Sequence, residues 1–471
     1  MERTSLKKNA ILNITYKISS LVFPLVTYPY VSRILLADNL GKVSFFNSLT
    51  NYMMMVGSLG ISTYGVRAIA KVRDDKNELS IITKELVRIN IKVTFIVLCI
   101  IFVTLPFISK FRSNILLLLI SCAQTAIAPF SMEWLYSGLE QYAYIAKRAI
   151  AIKLISLVLI FLLVHNQDDY IIYAAILAFG FVGNYICNII HSTKIINYKI
   201  HVRLQLKRHL KPILILFAST LAINIYTNVD TVMLGFINGD RAVGLYDVSC
   251  KAKLVLLSLI NAISVVLFPR LSHYLAVNDY KSYNVTLKKA IITIMGIAVP
   301  VAMFFEIEAK DVILVLGGKD YSDAVLCMQL LMPILIISGF SNITGNQILL
   351  PHGLDSSYMQ AVCLGAFVDI ILNIFLMPKY SLYGAAIATL LAEITQMIVQ
   401  IWRSWKYLRN SIDICEIKKI ILAASVSGYV IYFASKFINS VAIINLSLFG
   451  LFFGMMYVIV LTILKSKILE R

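Results

Sequence analysis

The sequence predicts an all-α, polytopic membrane protein of about 14 transmembrane helices, on three observations. First, 59% of its 471 residues are hydrophobic and only 14% are charged, where soluble chains run nearer a quarter charged. Second, stretches without Asp, Glu, Lys or Arg recur at the length of a bilayer crossing, as in Asn114 to Met132, Tyr170 to Thr193 and Phe437 to Leu464. Such runs have the length of helices and lack the ten-residue alternation of a membrane barrel. Third, the basic residues fall mainly on alternate connections. Backbone groups in lipid need partners within their own segment, which makes helices the required element.

The expected spans are 9–32, 44–65, 93–109, 114–136, 150–165, 170–191, 212–235, 246–269, 288–305, 324–347, 358–377, 382–402, 418–435 and 441–464. Of the 43 Lys and Arg residues, 31 lie on the side shared with the N-terminus, 9 on the other, and Lys17, Lys251 and Lys253 within spans. The positive-inside rule then places both termini in the cytoplasm. Met1 to Ala10 is basic, but the apolar run after it carries Lys17 and lacks a small-residue cleavage site, so a retained first helix is expected. A net charge of +18 distributed over short loops between spans argues against nucleic-acid binding. Thr27 to Leu49 and Thr227 to Ser249 carry a faint repeat about 200 residues apart. It suggests two six-helix lobes related by a pseudo-twofold axis, 1–211 and 212–403, followed by two trailing helices in 404–471.

Ionisable residues inside spans must face a partner or a wet cavity, because a charge at the bilayer centre costs about 3 kcal/mol on insertion scales. Asn13, Lys17, Ser20 and Pro24 form one stripe of the first helix, with Arg33 at its outer end. This reads either as a cationic lining for an anionic cargo or as a snorkelling, locally paired lysine. Asn224, Asn228 and Asp230 lie in the seventh span. The eighth carries Asp247 and Lys251, an acid-before-base pair four residues apart, which leaves Lys253 the freer charge. Asp369 with Asn373, and Glu393 with Gln396, suit hydrogen bonding between helices. Trp134 reads as an interfacial anchor, and the six histidines read as loop or interface residues. Pro24, Pro29, Pro300 and Pro333 predict kinks. The seven cysteines have neither paired nor metal-ligand spacing. A phosphate-cradling GxxxxGK[ST] run, HExxH and GxSxG are all missing from the sequence.

Four segments resemble the polysaccharide repeat-unit flippases. They are Gly60 to Asp75 (GISTYGVRAIAKVRDD), Glu133 to Glu140 (EWLYSGLE), Val229 to Gly235 (VDTVMLG) leading to Val243 to Tyr246, and Pro378 through Tyr383-Gly384-Ala385 to Thr389 and Glu393. The chain is identified as similar to the Wzx-type O-antigen and capsule flippases of the multidrug, oligosaccharidyl-lipid and polysaccharide exporter superfamily. It departs from them at Ser137, where Gln is usual, and at Leu36, where Gly is expected. The resemblance implies two six-helix lobes around a cavity, alternating access, and an undecaprenyl-pyrophosphate-linked oligosaccharide carried from the cytoplasmic to the outer leaflet of a bacterial inner membrane. It further implies membrane lipids, a polysaccharide polymerase and a chain-length regulator as partners, H+ or Na+ as driving ion, and no resident cofactor. On this view Lys17, Arg33, Lys251 and Lys253 attract the pyrophosphate. Asn47, Asn51, Asn224 and Asn228 hydrogen-bond sugars, and Asp230 serves as a coupling-ion site. The alternatives are another exporter of the superfamily, for a drug or a peptidoglycan lipid precursor, and an integral-membrane polymerase or glycosyltransferase. The latter would need a large external loop, which the sequence lacks.

Overall fold

The computed structural model describes the backbone of residues 6–200, 202, 204–437 and 441–469, and side chains from residue 23 onward except 201, 203, 218–228, 265–266, 438–440 and 470–471. Among these residues all regular structure is helical. Among the described residues, nine helices are long and apolar enough to cross a bilayer. One of these, Asp355–Leu408, and the further helix Leu6–Ser58 are merged pairs of spans, and with Tyr142–Leu163 and Lys207–Ile237 the total comes to about 14 crossings.

The chain divides into two compact units, 1–228 and 229–471. Unit 1 begins with α1 (Leu6–Ser58), which breaks at Leu36 with φ 59° and ψ 175°. This is a backbone conformation that glycine adopts freely and a branched residue does not. The connection expected over residues 33–43 is therefore a single break, at the position where the resembled family carries glycine. Next come α2 (Ile61–Val72), α3 (Lys76–Thr104), α4 (Ser109–Ser113), α5 (Ile115–Ile127), α6 (Glu133–Gly138), α7 (Tyr142–Leu163) and α8 (Tyr170–Ser192). The cap of α3 is Asp75, whose carboxylate accepts the amides of Asn77 and Glu78 at 2.8 and 3.1 Å. This satisfies two of the amides that a helix start leaves open.

The core of unit 1 forms where α2, α3 and α6 meet the segment after α8, around Ile69, Leu86, Trp134 and Ile196. Trp134 is 4% exposed, so it is a core residue and not the interfacial anchor its sequence context suggested. A Cβ at Gly65 would stand 2.7 Å from the Trp134 ring, and one at Gly138 would stand 2.8 Å from Ile69. Arg73 pairs with Glu140 at 3.1 Å on the exposed edge. The first two resembled motifs are thus packing partners.

The segment leading out of α8 is strapped to one face of α3. Ser80 accepts the Asn197 amide at 2.9 Å, and Lys84 donates to the carbonyls of Tyr198 and Ile200. Glu85, fully buried, receives the Gln205 amide, Arg208 Nη2 at 2.6 Å and His209 Nε2 at 2.7 Å. His209 Nδ1 meets Tyr64 Oη at 2.8 Å. His209 therefore belongs to a buried charged network, contrary to the loop role expected for it.

The helix α9 (Lys207–Ile237) runs across the division between the units. Unit 2 continues with α10 (Asp240–Ala276), α11 (Tyr280–Ile307), α12 (Ala309–Leu316), α13 (Ala324–Leu331), α14 (Ile334–Asn342), a π-helical turn Ile343–Leu349, α15 (Asp355–Leu408), α16 (Ile414–Phe437) and α17 (Ala442–Ile463). The break in α15 falls at Ser381, φ 52°, three residues after Pro378. A Cβ on Gly384 would lie 2.5 Å from the Leu376 carbonyl oxygen, so glycine there lets the two halves of α15 fold closely at the break. The helices α16 and α17 pack on α11, where Tyr457 donates to the Gly296 carbonyl at 2.9 Å. The tail after α17 closes back onto α16: Ser466 Oγ and the Lys467 amide both reach Glu416.

Candidate functional site

The densest buried polar cluster of unit 2 is built from α9, α10 and both halves of α15. Asp230 on α9 is buried and accepts three side-chain hydrogen bonds. Asn373 Nδ2 donates to its Oδ1 at 2.6 Å, Tyr246 Oη to its Oδ2 at 2.7 Å, and Thr389 Oγ1 to its Oδ2 at 2.8 Å. Thr389 Oγ1 also stands 2.9 Å from the Ala385 carbonyl and 3.1 Å from Tyr246 Oη. A hydroxyl has one hydrogen, so Thr389 can satisfy only one of these acceptors at a time. The third and fourth resembled motifs meet here.

Asp369, one turn before Asn373, is fully buried, and its carboxyl neighbours that of Asp230. Neither of its oxygens has a donor among the described residues, and Asn373 Oδ1 also lacks one. Among the described residues all the side-chain donors to Asp230 are neutral. Two adjacent carboxylates in a low-dielectric interior cannot both stay charged without a positive charge shared between them. The surplus of oxygen acceptors over hydrogens fits a proton or a hard monovalent cation, which takes oxygen ligands of this kind. Soft transition metals suit it less: among the described residues no three His, Cys, Asp or Glu side chains cluster as metal ligands. Lys253 is half-buried, its charge reaches Asp369, and it makes no hydrogen bond or ion pair among the described residues.

The other sequence-derived residues fall at separate places. Asp247 and Lys251 form an ion pair at 3.8 Å on α10. Asn47 and Asn51, four apart on the second half of α1, are half-buried, and their amides make no hydrogen bond among the described residues. Arg33 is exposed and donates to the Pro29 carbonyl. Lys17, Asn224 and Asn228 lie outside the residues whose side chains are described.

Three features went unread in the sequence. One is Asp369 as the partner of Asp230, which had been given a helix-bonding role. Another is an amide ladder in unit 2: Asn342 Nδ2 donates to Asn261 Oδ1 at 2.7 Å, and Asn346 Nδ2 to Asn342 Oδ1 at 3.0 Å. It borders the π-helical turn, a type of irregularity frequent at functional sites. The last is Arg148, which is buried against Asn184 at 2.8 Å and Asn188.

Comparisons with known proteins agree with this architecture. The sequence family described as "Polysaccharide biosynthesis protein" matches residues 6–275. A protein of Escherichia coli (strain K12) named an O-antigen transporter is 26% identical over 421 residues, covering 86% of this chain and 99% of that one. A Shigella dysenteriae protein of the same name is 25% identical over 396 residues, covering 83% and 97%. Among solved structures, the lipid II flippase MurJ in an inward closed conformation superposes with a TM-score of 0.75 at 17% identity, covering 96% of this chain and 98% of that one. An inward-facing multidrug transporter of the MATE family gives 0.60 at 14% identity, covering 85% and 98%.

Proposed function

The chain belongs to the polysaccharide biosynthesis protein family, and on that premise we propose that it is a flippase for undecaprenyl-pyrophosphate-linked oligosaccharide repeat units, driven by a cation bound at Asp230 and Asp369. The single observation that carries the reading is this carboxylate pair, buried in a membrane-embedded helix bundle and supplied with neutral donors among the described residues. Membership of a polysaccharide family supplies the cargo class, and the names of the O-antigen relatives support it.

The sugar-pyrophosphate head of such a cargo is prohibitively costly to move bare through hydrocarbon. Lys17, Arg33, Lys251 and Lys253 lower that cost by attracting the pyrophosphate. The amides of Asn47 and Asn51, without a partner among the described residues, together with Asn224 and Asn228, offer hydrogen bonds to sugar hydroxyls, and the Asn261–Asn342–Asn346 ladder adds more. The polyprenyl tail stays in lipid. Transfer runs from the cytoplasmic to the outer leaflet of a bacterial inner membrane, with both termini cytoplasmic. A polymerase and a chain-length regulator receive the product.

At the acidic site, binding of H+ or Na+ cancels the repulsion between the two carboxylates. Because Asp230 sits on α9 and Asp369 on α15, a cation gained or lost there changes how tightly these helices hold together. That differential is what an ion gradient needs in order to shift a conformational equilibrium.

The test is complementation of a flippase-deficient strain with defined repeat units. The wild-type chain restores surface polysaccharide. Lys251→Ala combined with Lys253→Ala abolishes it at normal protein levels, and unchanged polysaccharide in that variant overturns the assignment. The MATE-like fold favours one second reading, a drug/cation antiporter. Restored drug resistance without restored polysaccharide would select it.

A further inference from the structure

We propose that unit 1 carries a binding site for the phosphate headgroup of a lipid, in the cavity between α2 and the start of α9. The cavity has a volume of about 760 Å³, enough for a phosphorylated headgroup with the first carbons of its chains. Its polar side is cationic. Arg67 and Lys71 lie four apart on one face of α2, both exposed, and Arg208 faces them from α9. Its other side is apolar, formed by Pro212, Ile215 and Leu216, with Ile215 61% exposed.

The buried Glu85 fixes Arg208 through Nε at 3.0 Å and Nη2 at 2.6 Å. A guanidinium carries five N–H bonds, so donors on Nη1 remain for a ligand in the cavity. Three cations and one carboxylate leave a surplus of two positive charges, which matches a phosphate. Fixed arginine donors suit phosphate oxygens, and lysine adds charge. A cationic wall facing an exposed apolar wall selects an amphiphile over a free anion. The site also lies between the two most basic connections of the sequence, Tyr64 to Lys92 and His191 to Lys211. The positive-inside rule assigns these to the cytoplasmic leaflet, where basic pockets between helices receive anionic headgroups. The residues are separate from Asp230 and from every cavity residue assigned above, so the inference goes beyond the flippase reading and stands without it.

Two sources supply this chemistry, an anionic phospholipid and the polyprenyl phosphate carrier. The experiment measures binding of dioctanoyl phosphatidic acid and of undecaprenyl phosphate to the purified full-length chain in detergent, with dioctanoylglycerol as the uncharged probe. Arg67→Gln combined with Lys71→Gln changes only exposed side chains and should leave the unfolding temperature unchanged. It should weaken binding of at least one phosphate probe by about tenfold or more. Dioctanoylglycerol should bind neither chain measurably, and Lys281→Gln combined with Lys289→Gln, which removes the same charge elsewhere, should bind as wild type does. Weakening for phosphatidic acid alone identifies a phospholipid occupant, weakening for undecaprenyl phosphate alone identifies the carrier, and weakening for both supports the site for either. Equal affinity of wild type and the Arg67/Lys71 variant for both probes overturns the proposal, as does an equal loss in the Lys281/Lys289 variant. The readout is binding and not translocation, so its failure is distinguishable from failure of the flippase reading.

Discussion

Each unit joins two of the resembled motifs, but by different physics. In unit 1 the α2 and α6 motifs fit by shape: Gly65 admits the Trp134 ring, Gly138 lies against Ile69, and a single exposed ion pair closes the edge. In unit 2 the α9 and α15 motifs meet through Asp230, Tyr246 and Thr389, with Asp369 adding a second carboxylate that no donor among the described residues satisfies. Unit 1 also buries a carboxylate, Glu85, but gives it Arg208 and His209. A buried acid held by the Arg208 guanidinium and the His209 ring is a strap. A buried pair reached by the Lys253 charge but given no ion pair among the described residues is, under the proposed function, a receptor for a cation. Under the proposed function, the difference gives holding to one unit and coupling to the other.

The largest effect expected from this contrast is on transport. Asp369→Asn should abolish surface polysaccharide in the complementation assay while leaving the unfolding temperature of the purified chain unchanged or raised, since it removes one of two repelling charges. A variant that instead unfolds would make the pair structural. Gly65→Val should do the reverse. Its added carbons collide with Trp134, costing about 3 kcal/mol of stability, and activity should fall only in proportion to the folded protein recovered.

Next comes Leu36→Gly, which relieves the positive φ at the break in α1 and should stabilise the chain by about 1 kcal/mol. Thermal unfolding measures it, and a loss of stability would mean that the packing of Leu36 outweighs its backbone strain. The smallest effect concerns acid. Hydrogen bonds from Lys288 and Lys467 hold the Asp413 carboxyl down from 3.8 to about 2. A group lowered in the folded state adds stability that is complete above its ordinary value and is lost as pH falls through the lowered one. The wild-type unfolding temperature should therefore drop more than that of Asp413→Asn between pH 3.8 and about 2.

Much of the fold was legible because its signals are local. Apolar runs mark the spans, the connection expected between 377 and 382 holds the break at Ser381, and Asp247 with Lys251 is a pair within one helix turn. The site was half legible. Asp230 stands out as a charge in a span, but its partners lie 16 to 159 residues away, and nothing in local periodicity links α9 to α15. Hydropathy also misplaced His209, and it gives no sign that Arg148 is interior. It counts a cation near a span end as solvated, whereas Asn184 and Asn188 or Glu85 can satisfy one in the interior. Trp134 misled for a related reason: a Trp at the end of an apolar run suits the interface, and only the glycine opposite shows that it is packed.

The central claim is that Asp230 and Asp369 bind a cation, and thermal unfolding of the purified full-length chain tests it most directly. Wild type and Asp369→Asn are compared with Na+ exchanged for choline at constant ionic strength, and separately across mildly acidic to neutral pH. A cation that binds only the folded chain raises its unfolding temperature by mass action. Wild type should therefore be stabilised by Na+ or by falling pH while Asp369→Asn responds to neither. Identical responses in the two chains would contradict the claim.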